Sequence, residues 1–95
     1  MEIEQTQDLM KLIQIKFPRL SKGQKLIADF ILKNYDKAAF MTAAKLGDSV
    51  GVSESTVVRF AIELGFSGYP KLQKALQELI KNKLTSVQRL ELSND

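Results

Sequence analysis

The sequence has no cysteine, no histidine and no tryptophan, and only two prolines and five glycines. Without cysteine there is no disulfide framework, no thiolate nucleophile and no zinc-finger or iron–sulfur ligand set. Without histidine the usual general base and the commonest metal ligand are missing. No carboxylate or lysine cluster stands out to replace them. The sequence therefore predicts no enzyme, no catalytic residue, no metal and no cofactor. Also missing is any apolar run near the ~18 residues needed to cross a membrane. The start Met1-Glu2-Ile3-Glu4-Gln5 is acidic and lacks the apolar segment of a secretory leader. A cytoplasmic protein with no membrane partner is expected.

What is present fits one small domain. The chain has 95 residues, 44% of them apolar and 26% charged, with a net charge of +3. That composition is ordinary for a globular domain. A domain of this size buries roughly 60–65% of the surface its unfolded chain exposes. The scarcity of proline and glycine, and the absence of alternating β-branched runs, predict helices throughout.

The first helix is expected from about Gln5 to Phe17, with Leu9, Met10, Leu12, Ile13 and Phe17 on one face and Pro18 ending it. Ser21-Lys22-Gly23-Gln24 reads as a capping box. It opens a helix with Leu26, Ile27, Phe30 and Ile31 on one stripe, closed by Asn34-Tyr35-Asp36. Asp36 to Met41 reads as a helical turn or a loop. Thr42 caps a short helix over 43–50 that stops at Gly51. Ser53 caps a further helix that runs to about Leu64 and ends at Gly65, where positive φ carries no steric cost. Ser67-Gly68-Tyr69-Pro70 opens a last helix lined by Leu72, Leu76, Leu79, Ile80 and Leu84, with Pro70 tolerated in its first turn. From Thr85 to Asp95 the periodicity fades, which reads as a tail or the start of a linker. The fold class is thus all-α: about five helices in a compact bundle.

The most informative stretch is Ala43 to Ile62. Two helices separated by Gly51-Val52-Ser53 meet the requirements of a helix-turn-helix. Gly47 sits where the second helix crosses the first and a small residue is needed. Gly51 supplies the positive φ of the turn, and Gly65 does the same beyond the second helix. Leu46, Val50, Val52, Val57 and Phe60 form the apolar seam. The opposite face of the second helix carries Ser53, Glu54, Ser55, Thr56 and Arg59. An arginine fork matches O6 and N7 of guanine, so Arg59 is the leading candidate for base readout. Ser53, Ser55 and Thr56 are candidates for a base edge or a phosphate. Glu54 reads as a complement to the helix dipole.

The charge is unevenly spread. From Tyr35 to Phe66, Lys37, Lys45 and Arg59 are outweighed by Asp36, Asp48, Glu54 and Glu63, a net of −1. Ser21 to Asn34 carries +2 and Ser67 to Leu84 carries +3. Phosphate contacts need cations and free donors beside the reading helix. Lys22, Lys25, Thr42, Ser67, Tyr69, Lys71 and Lys74 are the candidates for that work.

Three blocks resemble one family. Leu20-Ser21-Lys22-Gly23-Gln24-Lys25-Leu26-Ile27-Ala28-Asp29-Phe30-Ile31-Leu32 resembles the opening of the N-terminal domain of RpiR-type bacterial transcription regulators. Val50-Gly51-Val52-Ser53-Glu54-Ser55-Thr56-Val57-Val58-Arg59-Phe60 is similar to its recognition segment, and Leu64-Gly65-Phe66-Ser67-Gly68-Tyr69-Pro70-Lys71-Leu72 to its next signature. Gly47 stands where the family often has alanine, and Glu63 at a site that is often basic. The resemblance implies a DNA-binding domain over residues 1–82. Residues 83–95 would then be a tail or the start of a linker to a sugar-isomerase-type domain absent from this sequence. That absent domain would sense a phosphosugar and help hold a homodimer together.

The expected function is sequence-specific binding of double-stranded DNA by a regulator of sugar or amino-sugar metabolism. The rival is a helical protein–protein interaction or dimerisation module without its own DNA specificity, anchored by Leu9 or Met10 on the first helix.

Overall fold

Side-chain caps set the starts of three of the five helices. The structure is a computed structural model that describes the backbone of residues 2–94 and the side chains of residues 9–81. Its helices are α1 (Glu2–Lys16), α2 (Lys22–Ala38), α3 (Ala43–Val50), α4 (Glu54–Glu63) and α5 (Tyr69–Asn94), with one 3₁₀ turn at Phe17–Arg19. The Ser21 hydroxyl accepts from the Gln24 amide at 3.2 Å, and the Ser21 amide donates to Gln24 Oε1 at 3.0 Å. This reciprocal box satisfies two donors that a helix start would otherwise leave unpaired. The hydroxyls of Thr42 and Ser53 likewise cap α3 and α4.

α1 ends at Lys16, and Pro18 lies inside the 3₁₀ turn that follows. Leu9 and Ile13 of α1 are buried, whereas Ile15 is 71% exposed. Leu9 therefore belongs to this domain's own core. That corrects its reading as an anchor for a partner, while Met10 is half-buried. In α2 the buried stripe is Ile27, Ala28 and Ile31, and Leu26 is 48% exposed. The apolar pattern puts Leu26 on that stripe; in the fold it lies at the margin, one step around the helix from Ile27, where packing covers it only in part.

The segment Asn34-Tyr35-Asp36 bends α2 rather than ending it. Asn34 leaves helical geometry (φ −139°, ψ 45°), and a further turn then runs to Ala38. That turn places Ala38 and Ala39, both fully buried, against α5. Three side chains of α5 fasten it there. The Tyr69 hydroxyl donates to the Met41 carbonyl at 2.5 Å and lies 3.5 Å from the Ala38 carbonyl. Gln73 Nε2 donates to the same Met41 carbonyl, and Gln77 Nε2 to the Ala39 carbonyl, each at 3.0 Å. These bonds satisfy carbonyls at a helix end, where no intrahelical partner exists. Residues 69, 73 and 77 recur at four-residue spacing, so one face of α5 carries all three donors.

The core is a single cluster with members from every helix. Phe60, Ile13, Ile27, Ile31, Leu46, Leu72, Leu76 and Val57 are its largest fully buried side chains. No buried polar side-chain atom among the described residues lacks a hydrogen-bond partner. α1 packs mainly on α5, and α4 is held between α3, α2 and α5. The α5 backbone remains helical through the segment that reads as a tail or linker start. The side chains of 82–95, Leu84 included, lie outside the described residues, and the expected boundary at 82/83 falls within the α5 backbone.

α3 and α4 meet at Gly47. A Cβ built on Gly47 would sit 2.6 Å from the Val52 carbonyl oxygen and 3.3 Å from the Ser53 carbonyl. Both obstacles are backbone and cannot rotate aside. Gly47→Ala should therefore force α3 and α4 apart, at about 1–3 kcal/mol, as for other overpacking changes. Thermal unfolding followed by circular dichroism should show a fall of roughly 4–8 °C for each kcal/mol lost in a domain of this size.

A second prediction concerns Tyr69. Burial pushes its phenol up from 10.0 to about 12. A group that holds its proton more tightly when folded loses its stabilising contribution as pH rises from the unfolded value through the folded one. The stability of the wild-type chain should decline between pH 10 and about 12. Urea titrations across that window should show a smaller decline for Tyr69→Phe. Below pH 10 that variant should be less stable by roughly 1 kcal/mol, the net worth of one hydrogen bond.

Candidate nucleic-acid interface

The turn between α3 and α4 is built from backbone chemistry. The Gly47 carbonyl accepts from the amides of Gly51 and Val52, at 2.8 and 2.9 Å. Gly51 adopts φ +81°, a left-handed conformation that a side chain would strain. This pairing ends α3 and sends the chain into Val52 and Ser53. The Ser53 hydroxyl then accepts from the Thr56 amide at 3.2 Å and starts α4. Gly65, at φ +103°, ends α4 by the same device.

α4 has two opposed faces. Val57, Phe60 and Ala61 are buried. On the other side Ser53, Glu54, Ser55 and Arg59 are exposed, with Val58 half-buried beside them. These five side chains line one open depression. The Ser53 hydroxyl lies 3.1 Å from Ser55 Oγ and 2.8 Å from Thr56 Oγ1, so three hydroxyls cluster at the helix start. Thr56 is half-buried, and its methyl lies against Gly23. Arg59 has no ion-pair partner among the described residues, and Glu63, four residues on, does not engage it. Its guanidinium keeps all five donors for another molecule.

The candidates for phosphate contact stand in different situations. A Cβ on Gly23 would meet Thr56 at 3.3 Å and Val52 at 3.4 Å, so the start of α2 abuts the start of α4. Lys22 is exposed there. Lys25 is half-buried, with its ammonium 5.7 Å from the centre of the Phe17 ring. Part of its charge thus serves a cation–π contact. Thr42 is exposed and its hydroxyl accepts from the Lys45 amide at 3.1 Å. Ser67, Lys71 and Lys74 are exposed around the start of α5. Neither Thr42 nor these three lines the depression on α4. The ion pair found among the described residues, Lys33–Asp29 at 3.2 Å, involves none of them.

Tyr69 is a correction. Expected at a phosphate, it is 5% exposed, and its hydroxyl is committed to the Met41 carbonyl. A phenol that donates to a buried carbonyl has no proton left for a phosphate oxygen. Its role is to hold α5 on the junction between α2 and α3.

Two contributors are absent from the sequence candidates. Gly23 reads in the sequence only as part of a capping box, yet its missing side chain lets α2 approach α4; a glycine in a first helical turn is the available signal. Val58 lies four residues from Glu54, three from Ser55 and beside Arg59, on the outward face, and that spacing is the signal for it. Among the described residues, no three of the Asp and Glu side chains gather as a metal site. Among the described residues, no helix is long and apolar enough to cross a membrane.

Comparison with known proteins agrees with this geometry. Residues 7–83 match the family described as "Helix-turn-helix domain, rpiR family". The chain is 37% identical over 68 residues to YfhH, an uncharacterized HTH-type transcriptional regulator of Escherichia coli strain K12. It is 37% identical over 71 residues to the HTH-type transcriptional regulator HexR of Pseudomonas aeruginosa. Those alignments take in 72% and 75% of this chain but 24% and 25% of the relatives. The chain thus spans about a quarter of the length of these curated relatives. Among solved structures, the Vibrio vulnificus NanR protein complexed with ManNAc-6P superposes with a TM-score of 0.74 at 28% identity. That match covers 86% of this chain and 31% of NanR.

Proposed function

The chain belongs to the rpiR family of helix-turn-helix domains found in transcriptional regulators, and from that membership we propose a specific mode of DNA reading. α4 lies in the major groove of duplex DNA. A helix with its side chains is about 10–12 Å across and the groove is about 12 Å wide. Arg59 donates both ends of its fork to O6 and N7 of a guanine. Ser55 and Thr56 bond base edges or nearby phosphates. Ser53, whose hydroxyl also caps α4, sits at the tip.

The observation that carries this reading is the outward face of α4. It presents an unpaired Arg59 and a hydroxyl cluster on a helix whose other face is locked into the core. Lys22 and Lys25 at the start of α2, and Lys71 and Lys74 at the start of α5, supply the phosphate contacts together with Thr42 and Ser67. Lys22 is the best placed of these, because Gly23 brings its helix against α4. The protein acts as a homodimer on two half-sites in the cytoplasm. Its regulated genes serve sugar or amino-sugar metabolism. A phosphosugar is sensed by a sugar-isomerase-type domain beyond these 95 residues. The similar NanR protein, solved in complex with ManNAc-6P, supports an effector of this chemical class.

The rival reading, a helical interaction module, loses Leu9 to the core. Selection from a random duplex pool should yield a defined site. On it Arg59→Ala should cost about 1–3 kcal/mol, roughly 5- to 150-fold in affinity, with little change on random DNA. Lys71→Ala should weaken both and lower the salt slope by about one. Equal losses for Arg59→Ala on selected and random duplexes would refute the base-reading role.

A further inference from the structure

Five side chains line the depression on α4: Ser53, Glu54, Ser55, Val58 and Arg59. Four of them carry hydrogen-bonding groups and Val58 does not. Val58 is also the lining residue whose position is most fixed. It is half-buried and packs partly against the core cluster, while Ser53, Glu54, Ser55 and Arg59 are exposed. A valine in a helix has one strongly preferred χ1 rotamer, so its two methyls are presented at a set place. The outward face of this helix thus combines a cationic fork, hydroxyls, a carboxylate and one rigid apolar knob.

The floor of the major groove offers the matching set. Guanine presents acceptors, cytosine a donor, and thymine alone adds an apolar group, its C5-methyl. We infer that Val58 is a specificity-determining residue that packs on the C5-methyl of a thymine in the same half-site that Arg59 contacts. This rests on the duplex-reading assignment above and adds to it the recognition of a second base type. Hydrogen-bonding groups alone would leave α4 indifferent to the methyl. The Val58 methyls exclude water from it, and a cytosine or a uracil at that place leaves the knob facing an unfilled space.

The test uses the chain and the duplex site selected from a random pool. Each thymine of that site is replaced in turn by deoxyuridine, which deletes the methyl and keeps every hydrogen-bonding group. For the wild-type chain, one position in each half-site should lose about fourfold in affinity, the worth of burying one methyl-sized group. For Val58→Ala the affinity for the thymine site should be lower, and deoxyuridine at that position should cost nothing further. Alanine is the better helix former, so α4 is retained in this variant, and circular dichroism checks it. Val58→Thr keeps the shape and one methyl, and should retain part of the discrimination. A wild-type chain indifferent to every deoxyuridine overturns the inference while leaving the role of Arg59 intact. So does a Val58→Ala chain with undiminished sensitivity, since another residue would then read the methyl. A chain that selects no site at all overturns the duplex-reading assignment, and this inference with it.

Discussion

The approach of α3 to α4 at Gly47 is the constraint on which the rest of this structure depends. The Gly47 carbonyl accepts two amides from the turn, and the missing Cβ leaves the space that the Val52 carbonyl occupies. Two backbone segments therefore meet where side chains would ordinarily intervene. That contact fixes the angle between the helices, and the angle decides which face of α4 is left over. Once Val57, Phe60 and Ala61 are drawn into the core, Ser55, Val58 and Arg59 have no choice but to face outward. The outward surface of α4 is thus a by-product of how the core closes.

A second layer of fastening keeps that unit in place within the bundle. Tyr69, Gln73 and Gln77 donate from one side of α5 to carbonyls between Ala38 and Met41. Those carbonyls immediately precede Thr42, the cap of α3. The helix-turn-helix is therefore tied by its first residues to the longest helix of the chain. The bend at Asn34 makes this possible, because it turns the end of α2 toward α5 and buries two alanines small enough to let the donors reach backbone. Since buried polar groups are costly when left unpaired, this polar cluster specifies the position of α5 in a way that Leu72 and Leu76 alone would not.

The electrostatics follow the same division of labour. The helix-turn-helix itself is slightly acidic, while the helices on either side carry the positive excess. Cations placed at flanking helix starts attract a polyanion without regard to sequence. In the proposed mode of binding, a near-neutral reading helix then discriminates among bases at short range. Affinity and specificity are thereby assigned to different elements, which suits a domain that spans only about a quarter of its curated relatives' length.

The local chemistry of the chain was enough to place the starts of α2, α3 and α4. Ser21, Thr42 and Ser53 cap where their hydroxyls and spacing indicate, and Gly51 and Gly65 adopt the positive φ that only glycine takes easily. The split between the faces of α4 was legible for the same reason, since a 3.6-residue period assigns each side chain a direction. Interactions distant along the chain were not legible. Tyr69 has the polar tip of a phosphate ligand, and only the approach of residues 28 positions away turned its hydroxyl inward. Leu26 left its expected environment because a helical stripe has margins, and the neighbouring helices decide which margin is covered. Gly23 acquired its place when α2 settled against Thr56 and Val52. Sequence by itself determined the capped helix starts and the motif, because these rest on contacts within four residues. The tertiary structure decided which exposed groups were left to act, because that depends on which surfaces the packing consumed.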